Sequence, residues 1–278
     1  MPEHYYMPGA HTIPREHLIS RASEIKMIPT LHTIADRVFS VLDNSNSSFT
    51  DLSDIVRYDQ AITSKIISIA NSAYYSRGVE IFNLQRAMLT IGFEEVRSIV
   101  TCILLMEGIM KLLKLNEEDL LSLWQHSIEV ACAARMLSER LMIEDPQKVF
   151  TASLLHDIGR IIFYAFSPEY RQIQNEARPG MDLAALEREQ FGIDHQETGH
   201  IIAVKWKFPA DFAKVVRNHH KELTDGSDGL LRLVAASDRF FTKTQRGNSP
   251  EGLILEKERD VIALEVKKIM KFMQLDMR

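Results

Sequence analysis

The 278-residue sequence contains only two cysteines, Cys102 and Cys132, with no Cys-x-x-Cys spacing. A disulfide framework is therefore excluded, and the pair reads as reduced core residues of a cytoplasmic protein. Glycine (12) and proline (9) are also sparse, and they fall where helices begin and end. Neither sign of charge dominates: 33 Lys and Arg stand against 38 Asp and Glu, a net charge of −5. That balance argues against a nucleic-acid-binding surface or a polybasic membrane anchor. The first residues are polar and lack the apolar stretch of a signal peptide. The apolar run around Ile99–Met106 falls short of a membrane span. Low-complexity segments and fixed-period repeats are missing as well. What remains is a chain 45% hydrophobic and 26% charged, of ordinary globular make-up and long enough for a sizeable core.

The apolar residues recur mostly at helical spacing, and strand-like alternation is almost absent, so the fold class is all-α. A first lobe is expected over residues 14–115. Pro29 opens a helix carrying Leu31, Ile34, Val38 and Leu42, the run from Asn44 to Ser48 is a loop, and Thr50 caps the next helix. Ala61 to Ala70 forms a buried helix closed by Asn71-Ser72, and Asn83 caps another that Gly92 ends. The second lobe, residues 116–278, starts at Asn116. Glu117, Glu118 and Asp119 suit the positive end of a helix that runs past Trp124 and His126 to about Leu141. Asp145-Pro146 marks the next start, a cap followed by proline in the first turn. Helical patterns then cover 182–189, 195–206, 209–220, 229–241 and 258–273.

Six of the ten histidines lie between His126 and His220: His126, His156, His195, His200, His219 and His220. Three of these sit in the pairs His156-Asp157 and His219-His220, and Asp238 follows on a later helix. Imidazole and carboxylate are ligands for divalent ions, and several on facing helices build a bundle-core site. Adjacent helical residues diverge by about 100°, so His156 and Asp157 can serve one site only if the helix bends, as Gly159 suggests. A lone histidine on an apolar face is usually a hydrogen-bonded core residue. The clustering of six raises the expectation of a bound ligand. His200, five residues after His195, diverges from it and reads as structural. Trp124 and Trp206 read as core, and Met270, Met273 and Met277 as packing or fraying.

The order of these motifs resembles the HDOD family, the signalling branch of the HD-domain superfamily. The likeness rests on Ile28-Pro29-Thr30-Leu31, Val56-Arg57-Tyr58-Asp59-Gln60-Ala61, Ile69-Ala70-Asn71-Ser72-Ala73-Tyr74-Tyr75 and Ala87-Met88-Leu89-Thr90-Ile91-Gly92 in the first lobe. In the second it rests on Leu154–Gly159, Phe191–Gly199, Trp206-Lys207-Phe208-Pro209, His219-His220 and Ala236-Ser237-Asp238. The resemblance implies a helical lobe packed on an HD-like helical lobe. It implies a metal set of His126, His156, Asp157 and Asp238, to which the cyclic di-GMP phosphodiesterase branch adds counterparts of His195, His219 and His220. Asp157 and Arg160 would be the catalytic residues, and Fe or Mn would be preferred over Zn, Ni or Mg. Two features depart from that branch: Arg160 stands where a lysine is usual, and the Gly-Tyr-Pro segment is missing. Arginine keeps the charge and can hold a phosphate bidentately, but it cannot transfer a proton as a tuned lysine can. The expected function is thus a signalling module meeting a protein partner in trans, with a metal site and a phosphate-containing small ligand. The alternative is a metal-dependent phosphohydrolase or phosphodiesterase. Asp59, Lys65 and Asn71 of the first lobe read as caps or exposed faces, and neither nucleic acid nor membrane is an expected partner.

Overall fold

Helical periodicity carries through to the structure, a computed structural model that describes residues 13–24, 52–53, 56, 60–72, 75, 78, 80–113, 117–176, 181–222, 228–242 and 249–272. The readings made at residues 28–51, Asp59, Asn116, Met273 and Met277 lie outside them. Among the described residues there are helices and no strands. The first part of the chain supplies α1 (Arg15–Glu24), α2 (Gln60–Ala70), α3 (Leu84–Ile91) and α4 (Phe93–Leu113). The rest supplies α5 (Glu117–Leu141), α6 (Pro146–Leu155), α7 (Arg160–Phe166), α8 (Tyr170–Glu176), α9 (Leu183–Phe191), α10 (His195–Lys205), α11 (Ala210–Asn218), α12 (Gly229–Thr242), α13 (Pro250–Lys257) and α14 (Arg259–Phe272).

Several boundaries follow from side chains that satisfy otherwise orphaned helix-end groups. Asn83 accepts a bond from Arg86 N, and Asp182 from Ala185 N. Asp145 accepts from Gln147 N at 2.9 Å and Lys148 N at 2.8 Å, with Pro146 in the first turn. Gly192 ends α9 at φ 69°, a conformation costly to residues with a Cβ. Asn71 clamps the segment between α2 and α3. Its amide donates to Ile67 O and Ile81 O, and its Oδ1 accepts from Ile81 N at 2.8 Å. Asn71 is therefore a structural residue. Lys65 is half-buried on α2.

The long α5 folds back onto α6, and this pair is the centre of the molecule. Helices α12 and α14 cover one side of α5, α4 and α11 lie on α6, and α10 packs between α11 and α7. Helix α1 belongs by chain order with the first lobe, yet it packs against α10 and α7. Leu18 and Ala22 are its buried residues, and Arg21 lies over the Phe166 ring at 5.4 Å. Phe150, Phe163 and Tyr170 are among the largest fully buried side chains. Each such apolar side chain contributes about 1.5–3 kcal/mol relative to exposure. Trp124, Trp206 and Met270 are buried as expected. Among the described residues one run, Pro146–Phe166, is long and apolar enough to cross a membrane by length and composition, unlike the shorter run at Ile99–Met106. Most of it is buried against neighbouring helices, as befits a core element. This run carries His156, Asp157 and Arg160.

Candidate metal centre

Helix α6 does not continue smoothly through His156-Asp157. From there to Gly159 the backbone bonds tighten to three-residue spacing, including Ile158 N to Leu155 O (3.1 Å) and Arg160 N to Asp157 O (2.9 Å). This break is the bend anticipated at Gly159, and it brings both side chains to one cluster. Glycine is obligatory at that point. A Cβ on Gly159 would stand 1.9 Å from His195 O and 2.5 Å from Gly199 N. A Cβ on Gly199 would in turn meet Val216 Cγ1 at 2.7 Å. The two glycines let the turn after α6 touch the first turn of α10, setting His195 beside Asp157.

All seven sequence-derived ligand candidates converge. His126 (α5), His156 and Asp157 (after α6) form one group whose donor atoms lie within 4.8 Å of one another. Asp157, His195 (α10), His219 and His220 (after α11) form a second on the same criterion. Asp157 belongs to both: Oδ2 is 3.7 Å from His126 Nε2, and Oδ1 is 3.4 Å from His195 Nε2 and from His219 Nε2. Asp238 (α12) closes the cluster at 3.1 Å from His126 Nε2 and 3.3 Å from His220 Nδ1. His200 is not part of it, as expected. The His126 and His220 side chains are 17% and 27% exposed against 0–5% for the other five, so the cluster meets solvent along that edge.

The proton positions follow from the partners. His156 Nδ1 lies 2.6 Å from Ser153 O, and His219 Nδ1 lies 3.2 Å from Val215 O and 3.1 Å from Val216 O. Carbonyl oxygens only accept, so each Nδ1 carries the hydrogen and each neutral ring turns its Nε2 lone pair inward. His195 is fixed likewise, with Nδ1 2.6 Å from Glu187 Oε2. Inside the cluster, His195 Nε2 is 3.3 Å from His219 Nε2 and 3.0 Å from His220 Nε2. His156 Nε2 and Asp238 Oδ2 are buried without hydrogen-bond partners. Lone pairs thus face lone pairs and carboxylates across a buried space, an arrangement that requires a proton or a cation between them. The donor set is all imidazole and carboxylate, with histidines oriented from behind, and it fits divalent metal ions.

Electrostatics agree with that accounting. Burial alone would raise the Asp157 carboxyl, but His156, Arg160 and His195 hold it well below its ordinary value. Asp238 is likewise held low against burial by its bond to His126 and by His220. Burial lowers His156 and His219, and burial with the neighbouring His219 brings His220 down to about 4. Burial opposes the charge on His195, yet Glu187 and Asp157 lift it to about 9. At neutral pH without metal, a proton on His195 thus occupies the space a cation would take, and metal binding would release it.

Arg160 faces inward. Its Nη1 donates to Asp157 Oδ2 at 2.8 Å and its Nε to Tyr170 Oη at 3.3 Å. Its charge is engaged in neutralising Asp157, which leaves the anticipated phosphate-holding role without a geometric basis. Two residues absent from the sequence reading complete the surroundings: Glu187 and Tyr170, both fully buried. A signal for Glu187 was present, since it shares the buried stripe of α9 with Ala184 and Phe191 at helical spacing.

The HDOD-domain family model matches residues 28–222, most of the chain, and the protein belongs to that family. It is similar in fold to an HDOD domain protein of unknown function from Geobacter sulfurreducens, at 21% identity, covering 92% of this chain and 98% of that one with a TM-score of 0.71. A candidate signal transduction protein from Marinobacter aquaeolei VT8 gives the same TM-score of 0.71 at 17% identity, over 94% of this chain and 65% of the other. A candidate metal-dependent phosphohydrolase from Shewanella amazonensis SB2B gives 0.55 at 24% identity, over 93% and 99%. No curated protein matches the sequence.

Proposed function

We propose that the chain is an HDOD signalling module whose second half holds a divalent metal centre of two subsites sharing Asp157. One subsite would use His126, His156 and Asp157, the other Asp157, His195, His219 and His220, with Asp238 adjoining both. The observation that carries this reading is the set of inward Nε2 lone pairs fixed by backbone carbonyls and Glu187, with the buried His156 Nε2 unpartnered. Fe or Mn would be the occupant, since both accept an imidazole–carboxylate donor set; no thiolate enters it, because Cys102 lies on α4 and Cys132 on α5, and burial pushes both thiols up to about 12. The module would act through a protein partner in trans, and the His126–His220 edge would admit a phosphate-containing small ligand.

A second reading, a metal-dependent phosphohydrolase or phosphodiesterase, draws support from the two adjoining subsites and their one exposed edge. When bound, divalent ions supply Lewis-acid polarisation of a phosphoryl oxygen and activation of water. Asp157 would then hold the shared position, and Arg160 would fix Asp157 instead of touching substrate.

Elemental analysis of the purified chain and of the His156→Ala, Asp157→Ala double variant tests the metal reading. One to two equivalents of metal in the parent and none in the variant are expected. A parent without metal after reconstitution with Mn(II) or Fe(II) would refute it. Hydrolysis of bis(p-nitrophenyl) phosphate by the loaded parent, lost in the double variant, would select the enzyme over the binding module.

A further inference from the structure

Behind the second subsite runs a buried chain of bonds whose directions are forced by the groups in it. Glu187 Oε2 accepts from His195 N at 2.8 Å and from His195 Nδ1 at 2.6 Å. Its Oε1 accepts from Tyr170 Oη at 2.6 Å, because an ionised carboxylate can only accept. The Tyr170 oxygen, its hydrogen so committed, accepts from Arg160 Nε, and Arg160 Nη1 returns to Asp157 Oδ2. The chain begins and ends on the cluster, at Asp157 and His195, and none of its intermediate members faces the ligand edge. A fully buried carboxylate is costly unless it is well paired, so Glu187 persists here only with these donors in place.

We propose that Glu187, braced by Tyr170, is the positioning residue of the second subsite. It fixes the ring orientation of His195, and the return through Arg160 fixes the Asp157 oxygens against it. The role rests on the metal reading above only for its effect on affinity; the orientation of His195 stands independently. Histidine ligands are commonly oriented by such partners, whose loss lowers metal affinity by roughly 10–100-fold. The first subsite provides an internal comparison, because His156 is oriented by Ser153 O and only the shared Asp157, three bonds away through Tyr170 and Arg160, connects that subsite to Glu187.

Cobalt(II) titration of the full chain, followed by d–d absorption and calorimetry, is the test for Glu187→Ala, Glu187→Gln and Tyr170→Phe. Glu187→Ala is expected to weaken the second subsite by roughly 10–100-fold and to leave the first within about threefold. Glu187→Gln keeps an oxygen for His195 and should recover most of the loss, and Tyr170→Phe should fall between. Equal weakening of both subsites, or a Gln variant as impaired as Ala, would overturn the proposal. The His195 Nδ1–H resonance of metal-free, histidine-labelled protein supplies a second readout. It should be present in the parent and in Tyr170→Phe, which leaves the carboxylate in place should Glu187→Ala fail to fold, and lost in Glu187→Ala. A parent that takes up no cobalt would refute the metal centre, while this resonance would still decide whether Glu187 positions His195.

Discussion

Near the loop of the α5–α6 hairpin, Arg135 donates to Ser98 Oγ at 2.6 Å, Ser98 donates on to Gln147 Oε1 at 3.1 Å, and Arg135 pairs with Glu265 of α14. Nine residues earlier on α5, His126 faces His156, Asp157 and Asp238. Both ends of the hairpin bury polar side chains, and composition alone would not tell them apart. At the loop end donors meet acceptors, and the cation of Arg135 also lies 5.0 Å over the Phe150 ring. At the other end acceptors outnumber donors, and His156 Nε2 and Asp238 Oδ2 are buried without a hydrogen bond. A polar cluster that closes on itself holds a fold together. One whose lone pairs outnumber its protons is built around something else.

Breaking the closed end should have the largest effect. Arg135→Met strands Glu265 beside an apolar neighbour, and losing one partner of a buried pair costs about 4 kcal/mol. Urea unfolding in the presence of chelator would measure it, with most of the loss recovered in the Arg135→Met, Glu265→Leu double variant. A cost under about 1 kcal/mol would show that the pair is solvated.

The open end should respond to an added cation instead. Manganese(II) at 100 times its Kd is expected to stabilise the parent by about 2.7 kcal/mol, roughly 5 °C in Tm. The His156→Ala, Asp157→Ala variant should show no shift, and Arg135→Met should keep the increment. Gly159→Ala probes what sets the open end's geometry. The added Cβ drives against His195 O, so the turn and α10 must separate, at about 2 kcal/mol. The manganese increment should shrink with it, since His195 is displaced from Asp157. An increment unchanged in Gly159→Ala would mean that the close approach of the two glycines does not position the site.

The difference between the two ends was only partly legible in the sequence. Residue types drew attention to the clustered histidines, and the resemblance to HD-domain proteins singled out His126, His156, Asp157, His195, His219, His220 and Asp238 among them. Helix starts at Asn83 and Asp145 were readable from their caps, and both side chains make the expected bonds; Asp182, read as the first residue of its helix, caps it instead. The short helices α7, α8 and α13 were not drawn, because each is too brief to show a period. Arg160 was assigned to phosphate because charge favours solvent in a sequence reading, whereas α7 is buried throughout its first turn. Glu187 was passed over within Leu-Glu-Arg-Glu-Gln, where three adjacent charges look like a solvated face. Spacing shows which residues share a stripe; only packing shows which stripe is turned inward.

Asp145→Ala separates the two ends with the smallest perturbation. Its carboxylate caps α6 at Gln147 N and Lys148 N, beside the closed cluster, and ten residues of helix lie between it and His156. Loss of such a cap costs about 1 kcal/mol, and the first turn frays. Gln147 belongs to that turn, so part of the cost should vanish in an Arg135→Met background, where the acceptor chain it completes is already broken. Metal stoichiometry and affinity should stay at the parent value, because the turn at 156–159 is held by its own three-residue bonds and by contact with α10. If metal affinity instead fell along with stability, α6 would transmit strain from one end to the other. The closed and open clusters would then be one cooperative unit, not two.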